Sequence, residues 1–161
     1  MPNRRKPSVY IETSVVSYLT ARLARDVSIA ADQRVTRTWW KQILPKCEGY
    51  VSEYVLAEIA RGDAGAVARR IEAVHAMISL EGSAQIEQLA SVYWKAISIP
   101  TRARADAYHL ATASFHRLDY LVSWNCTHIA SGRVRRIVQE INGERGIPVP
   151  VICTPRELME V

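Results

Sequence analysis

The sequence predicts an α/β domain in which a parallel sheet of four to five strands is covered by helices. Three observations carry that expectation. Short apolar runs alternate with segments of helical pattern ten or more residues long, so crossovers rather than hairpins join the strands. No repeat, linker or break in composition divides the 161 residues, which suits one domain spanning 1–161. Hydrophobic residues at 48% and charged residues at 23% are ordinary globular usage, which excludes disordered, collagen-like and low-complexity chains.

The elements follow in order. Val9-Tyr10-Ile11 is an apolar run that reads as the first strand, and Thr13 or Ser14 caps a helix through Val15, Val16, Tyr18 and Leu19. A second helix covers roughly residues 29–44 and stops at Pro45. Gly49-Tyr50-Val51 is the second strand, and Ser52 caps a helix that starts at Glu53. Helices over residues 64–77 and 84–95 follow, with a short strand near Ile78-Leu80 between them. Pro100 breaks the chain before a helix from about 103 to 118. Residues 119–123 form the clearest strand, β-branched and apolar between polar flanks. A helix over 134–141, ended by Asn142-Gly143, and a last strand over 149–153 complete the chain.

The net charge of +5, from 21 Lys and Arg against 16 Asp and Glu, favours polyanionic partners. Cys47, Cys126 and Cys153 are odd in number and scattered, which argues against a disulfide framework and fits a reducing compartment. No stretch approaches the ~20 apolar residues that span a bilayer, and the basic start lacks a signal-like apolar segment. A cytoplasmic protein with no membrane partner is expected.

In an open parallel sheet, ligands bind beyond the carboxyl ends of the strands. Glu12 directly follows the first strand, Asn125 follows 119–123 across Trp124, and Asp106 opens the helix feeding that strand. Glu58 lies among Tyr54, Val55, Leu56, Ala57, Ile59 and Ala60, so its helix reads as buried. A carboxylate there must be paired, protonated or metal-bound. Each residue taken singly also has a plainer reading. Glu12 fits a solvated loop, Glu58 a partner for an arginine, Asp106 a favourable charge at a helix start, and Asn125 a turn. His109 shares a face with Asp106, while His116 and His128 read as structural or exposed. No zinc-ligand spacing occurs, and no dinucleotide, P-loop or nucleophile-elbow motif. Glu12, Glu58 and Asp106, with the amide oxygen of Asn125, make a hard-oxygen set that suits Mg²⁺ or Mn²⁺. Acids inside a net-basic protein make sense if they hold metal while arginines hold a phosphate polymer. Arg102, Arg104, Arg133, Arg135 and Arg136 flank the site segments and are the candidates for that grip.

Four blocks carry a resemblance: Val9-Tyr10-Ile11-Glu12-Thr13-Ser14-Val15-Val16, Ser52-Glu53-Tyr54-Val55-Leu56-Ala57-Glu58-Ile59, residues 104–113 around Asp106, and Asp119-Tyr120-Leu121-Val122-Ser123-Trp124-Asn125. In this order they resemble the motif blocks of PIN domains, and most of all the VapC-type toxins of bacterial toxin–antitoxin operons. They cover the chain from residue 8 to about 154. The resemblance implies a PIN-like three-layer α/β/α fold and a Mg²⁺- or Mn²⁺-dependent ribonuclease that leaves a 3′-hydroxyl and a 5′-phosphate. It places site acids at Glu12, Glu58, Asp106 and the position of Asn125, with Thr13 and Ser14 at the family's hydroxyl position. It also implies a small antitoxin that covers the acidic site, and dimerisation is common in the family. Two departures stand out. Glu12 replaces the usual Asp, and Asn125 replaces the usual fourth acid, offering only a carbonyl oxygen. A PIN fold that has lost catalysis would instead be a nucleic-acid or protein-binding module. A receiver-like Mg²⁺-binding domain ranks last, since the adjacent Asp pair after the first strand is missing. The three acids are expected within ~4–6 Å of one another, repelling when no metal is bound. On that basis Asn125→Asp is expected to tighten Mn²⁺ binding.

Overall fold

Four consecutive buried residues mark the centre of the sheet. Strand β1 (Ser8–Ile11) exposes neither face, as a parallel strand does when paired on both edges and covered on both sides. In the computed structural model, which describes residues 4–161, β1 is flanked by β2 (Glu48–Ser52) and β4 (Tyr120–Val122). Beyond these lie β3 (Ile78–Leu80) and β5 (Val151–Cys153), giving five strands in the order β3-β2-β1-β4-β5, all parallel. The short strand expected near Ile78 is therefore the edge of the sheet. Tyr10 of β1 stands opposite Tyr50 on one side and Leu121 on the other.

Among the described residues, seven α-helices flank the sheet. They are α1 (Thr13–Thr20), α2 (Val27–Gln42), α3 (Glu53–Ile59), α4 (Ala64–Val74), α5 (Ala84–Ile97), α6 (Ala105–Phe115) and α7 (Gly132–Arg145). Right-handed crossovers from β1 outward to β3 put α1 to α4 on one face, and the return to β4 and β5 puts α5 to α7 on the other. Accordingly α1 packs on α2 and α4, while α5 packs on α6 and α7. Asp26, Ser52, Asp63, Ser83 and Ser131 each cap a helix by accepting the backbone N–H three residues on. The chain reverses its direction of travel across the sheet between β1 and β4. That reversal opens a crevice at their carboxyl ends, where open α/β sheets place ligands. Among the described residues, no helix is long and apolar enough to cross a membrane.

Several helix boundaries differ from the sequence expectation, and in two helices the physical reason is plain. The helix expected over 103–118 is shorter: a 3₁₀ turn at Thr101–Ala103 precedes α6, and Arg117 adopts a left-handed φ of 55° just after it. The helix expected to end at Asn142-Gly143 runs on to Arg145, where Gly146 takes the left-handed cap at φ 64°. Asn142 is no turn residue. Its amide is fully buried, accepts the Tyr93 hydroxyl, and donates to Ser114 Oγ at 3.1 Å and to the Pro148 carbonyl at 3.3 Å. Asn142→Ala should therefore cost about 1–3 kcal/mol in urea unfolding, because the groups it pairs are left buried and unsatisfied.

Candidate metal centre

At the end of β1, Glu12 turns into the crevice and is 4% exposed. The expectation that Thr13 or Ser14 caps α1 is corrected here: Glu12 itself is the cap, with Oε2 accepting the Ser14 N–H at 3.1 Å. The Ser14 hydroxyl also donates to that oxygen, and Ser123 Oγ donates to it at 2.7 Å. Both hydroxyls are held in that role from behind. Ser14 Oγ accepts the Trp124 N–H at 2.8 Å, and Ser123 Oγ accepts the Asn125 N–H at 2.9 Å. Three donors on one oxygen offset the burial of the acid and leave Oε1 facing the crevice.

Glu58 reaches the same crevice from α3. Its helix is not buried on nearly every side as the sequence led us to expect, since Leu56, Ala57 and Ala60 face solvent. The Glu58 side chain is 30% exposed, and its Oε1 accepts Thr13 Oγ1 at 3.0 Å. The same oxygen meets His109 Nε2 at 2.5 Å, and Glu12 Oε1 lies 3.9 Å from that nitrogen. His109 projects from α6 and is completely buried. Its Nδ1 meets the Tyr10 hydroxyl at 2.7 Å, which in turn meets Ser52 Oγ at 2.7 Å. Tyr10 of β1, backed by Ser52 of β2, thus fixes the plane of the imidazole.

The electrostatics follow from this geometry. Burial works against a charged imidazole, but the hydrogen bond to Glu58 and the charges of Glu12, Glu58 and Asp106 outweigh it, so the His109 pKa is raised. Burial likewise opposes the Glu58 carboxylate, yet His109, Thr13 and Arg61 together lower its pKa. Tyr10 moves well up, chiefly through burial, and stays a neutral hydroxyl. An imidazole whose protonated form is favoured thus stands between the two glutamates.

Glu12, Glu58 and His109 each present a ligand atom within 4.8 Å of the others, and the group can hold a metal ion. Ligand bonds of roughly 2.0–2.2 Å put neighbouring donors ~3–4.4 Å apart, so little movement is needed. The ring is also prepared for the task, because an outer partner on Nδ1 leaves Nε2 as the coordinating atom.

The remaining candidates lie elsewhere in the structure. Asp106 stands in the first turn of α6, outside that group of three, with Oδ2 2.8 Å from His128 Nδ1. Asn125 Oδ1 accepts the His128 N–H at 3.0 Å and so caps the turn after β4. Arg133 donates to the Ile97 carbonyl at 2.9 Å, Arg135 to the Ile152 carbonyl at 2.7 Å and to Glu157, and Arg136 to Glu140 at 3.0 Å. Arg102 is exposed on the 3₁₀ turn, and Arg104 lies 4.9 Å over the Trp94 ring and 5.8 Å from that of Tyr108. Three contributors were not read from sequence: His109 as a ligand, Tyr10 behind it, and Ser123 beneath Glu12. The signal for His109 was present, since it sits on the inward face of a helix among Ala107, Leu110 and Ala113. Compared with models of known protein families and with curated proteins, the sequence matches none of them.

Proposed function

We propose that the protein is a divalent-metal-dependent endoribonuclease of PIN-like fold, and the toxin of a toxin–antitoxin pair. One observation carries this reading: Glu12, Glu58 and His109 converge in the crevice where the strand order reverses. The four sequence blocks that resemble PIN domains and the net charge of +5 support the choice of RNA as substrate. The resemblance also supplies the partner, a small antitoxin that covers the acidic crevice.

Two carboxylates and an imidazole form a mixed oxygen and nitrogen set. The nitrogen moves the preference away from Mg²⁺ and toward transition-metal ions, among which Mn²⁺ is the one that carboxylates also suit. A divalent ion held there supplies Lewis-acid polarisation of the phosphodiester and activation of the attacking water. The chain does the rest. Ser14 and Ser123 hold Glu12 so that Oε1 faces the crevice, and Thr13 orients Glu58. His109 would hold the ion through Nε2, and Tyr10, at Nδ1, keeps the ring in plane. Asp106 adds negative charge behind His109 and holds His128 at the rim.

The test is incubation of the pure protein with a structured RNA, with Mn²⁺ and with chelator, beside Glu12→Gln. Cleavage that needs both Mn²⁺ and Glu12 supports the reading, and Mn²⁺-independent cleavage or none contradicts it. The second reading, a PIN fold that binds without cutting, draws on the His109–Glu58 contact, which gives Glu58 a partner from within the chain. RNA binding without cleavage in Mn²⁺ would select it.

Asn125 also has an expected outcome. Since its oxygen is committed to the His128 N–H, Asn125→Asp should tighten Mn²⁺ binding in calorimetry only through its added charge, an effect that weakens as salt is raised. The tightening expected from sequence is then a field effect and not ligation, because the residue caps a turn and stands outside the three ligands.

A further inference from the structure

We propose that two partly exposed aromatic pairs, Tyr54–Tyr108 and Tyr18–Trp124, carried on the segments that build the Glu12–Glu58–His109 centre, are base-stacking subsites, so that the RNA is held as an unpaired strand. The inference rests on the ribonuclease reading and adds to it which form of RNA is held and by which residues. Tyr54 lies four residues before Glu58, on the same face of α3, and Tyr108 directly precedes His109. Their rings stack with centroids 4.7 Å apart and planes at 27°. Tyr18 lies four residues after Ser14 on α1, and Trp124 directly follows Ser123. Those rings stack at 5.8 Å and 21°. Each pair therefore joins two of the elements that build the centre, one helical turn from a residue that forms or holds it.

Stacking, rather than exposure, sets these pairs apart. Trp39, Tyr10 and Tyr93 are wholly buried, and Trp40, Tyr50, Trp94, Phe115 and Tyr120 are open to solvent like these four, but among the described residues Tyr54–Tyr108 and Tyr18–Trp124 are the aromatic pairs whose rings stack. The Trp124 ring is fixed by its Nε1 donating to Thr36 Oγ1 at 2.7 Å, so little ordering remains to be done on binding. Charge alone offers a thin grip here, because Arg133, Arg135 and Arg136 are engaged with protein acceptors. Arg104 is exposed beside Tyr108 and adds a cation to the first pair, the combination that single-stranded nucleic acid sites use. A base inside a duplex has no free face to offer, while an unpaired base stacks on any aromatic ring without regard to sequence.

The test measures binding in chelator, where nothing is cut, with a fluorescein-labelled RNA of about twelve nucleotides, unpaired or annealed to its complement. Wild type should bind the unpaired strand at least tenfold more tightly than the duplex. Tyr108→Leu and Tyr18→Leu should each weaken unpaired-strand binding about tenfold, while Tyr108→Phe and Tyr18→Phe stay within about twofold. Thermal melts confirm that each variant is folded, and the Phe variants keep the test valid if a Leu variant is not. Leucine variants that bind like wild type, or equal affinity for strand and duplex, overturn the proposal. Parallel cleavage in Mn²⁺ separates the two readings. If RNA is cut while the leucine variants bind normally, the subsites fall and the nuclease stands. Stacking-dependent binding without cleavage leaves the subsites standing and removes the nuclease.

Discussion

On the nuclease reading, Glu58→Gln is expected to cleave RNA at least about a hundredfold more slowly than wild type in saturating Mn²⁺. Replacing outer partners of a metal ligand already costs roughly 10–100-fold, and Glu58 is placed as a ligand itself. The substitution keeps the volume and the acceptor for Thr13, so it removes charge with little change of shape. It also destabilises the fold, where the sequence expectation of clustered repelling acids pointed to a neutral or stabilising effect. The reason is His109, which loses its counter-charge in a buried position; the cost is about 1–3 kcal/mol. Its pH dependence has a definite sign. The raised pKa of His109 contributes stability that is fully present below its unfolded value of about 6.5 and is lost as pH rises through the folded value. The lowered pKa of Glu58 contributes stability that is present above its unfolded value and is lost as pH falls through the folded one. Urea unfolding of wild type and Glu58→Gln should therefore differ most between about pH 4.5 and 6.5, and converge at alkaline pH. Equal stability at pH 6 would show that the pair contributes nothing.

His109→Ala loses more of the fold. The imidazole is fully buried and both its nitrogens have partners, so truncation opens a cavity, removes a partner of the Tyr10 hydroxyl and strips the charge that separates two glutamates. Together these should lower stability by about 3–5 kcal/mol in urea unfolding, a large share of the roughly 5–15 kcal/mol of an ordinary domain. Wild-type Mn²⁺ affinity should rise with pH as the His109 proton leaves, and His109→Gln, which keeps most of the volume, should abolish that rise. A change of less than about 1 kcal/mol in His109→Ala would mean that the imidazole is not the keystone of the crevice.

The fold was legible because its signals are local. Val9-Tyr10-Ile11 is apolar without alternation, as a strand buried on both faces must be, and Ser52 stands where a cap is needed. Glu12 and Glu58 were legible for a related reason, since one follows a strand end and the other interrupts an apolar run. The rest depended on how α3 and α6 cross. Asp106 and His109 share one stripe of α6, and chain spacing does not say which of them meets Glu58. The structure puts His109 there and turns Asp106 to His128, a residue that the sequence reading set aside as structural or exposed. Asn142-Gly143 misled because an asparagine beside a glycine reads as a stop unless its amide has a buried partner, and Tyr93 lies 49 residues away.

The central claim is that Glu12, Glu58 and His109 form one metal centre, and calorimetric titration of Mn²⁺ tests it most directly. Run below neutral pH in two buffers of different ionisation enthalpy, it should give one ion per chain with net proton release, the proton leaving His109 Nε2. Glu58→Gln should bind at least about tenfold more weakly under the same conditions. No binding by wild type, or binding without proton release that Glu58→Gln leaves unchanged, would contradict the account.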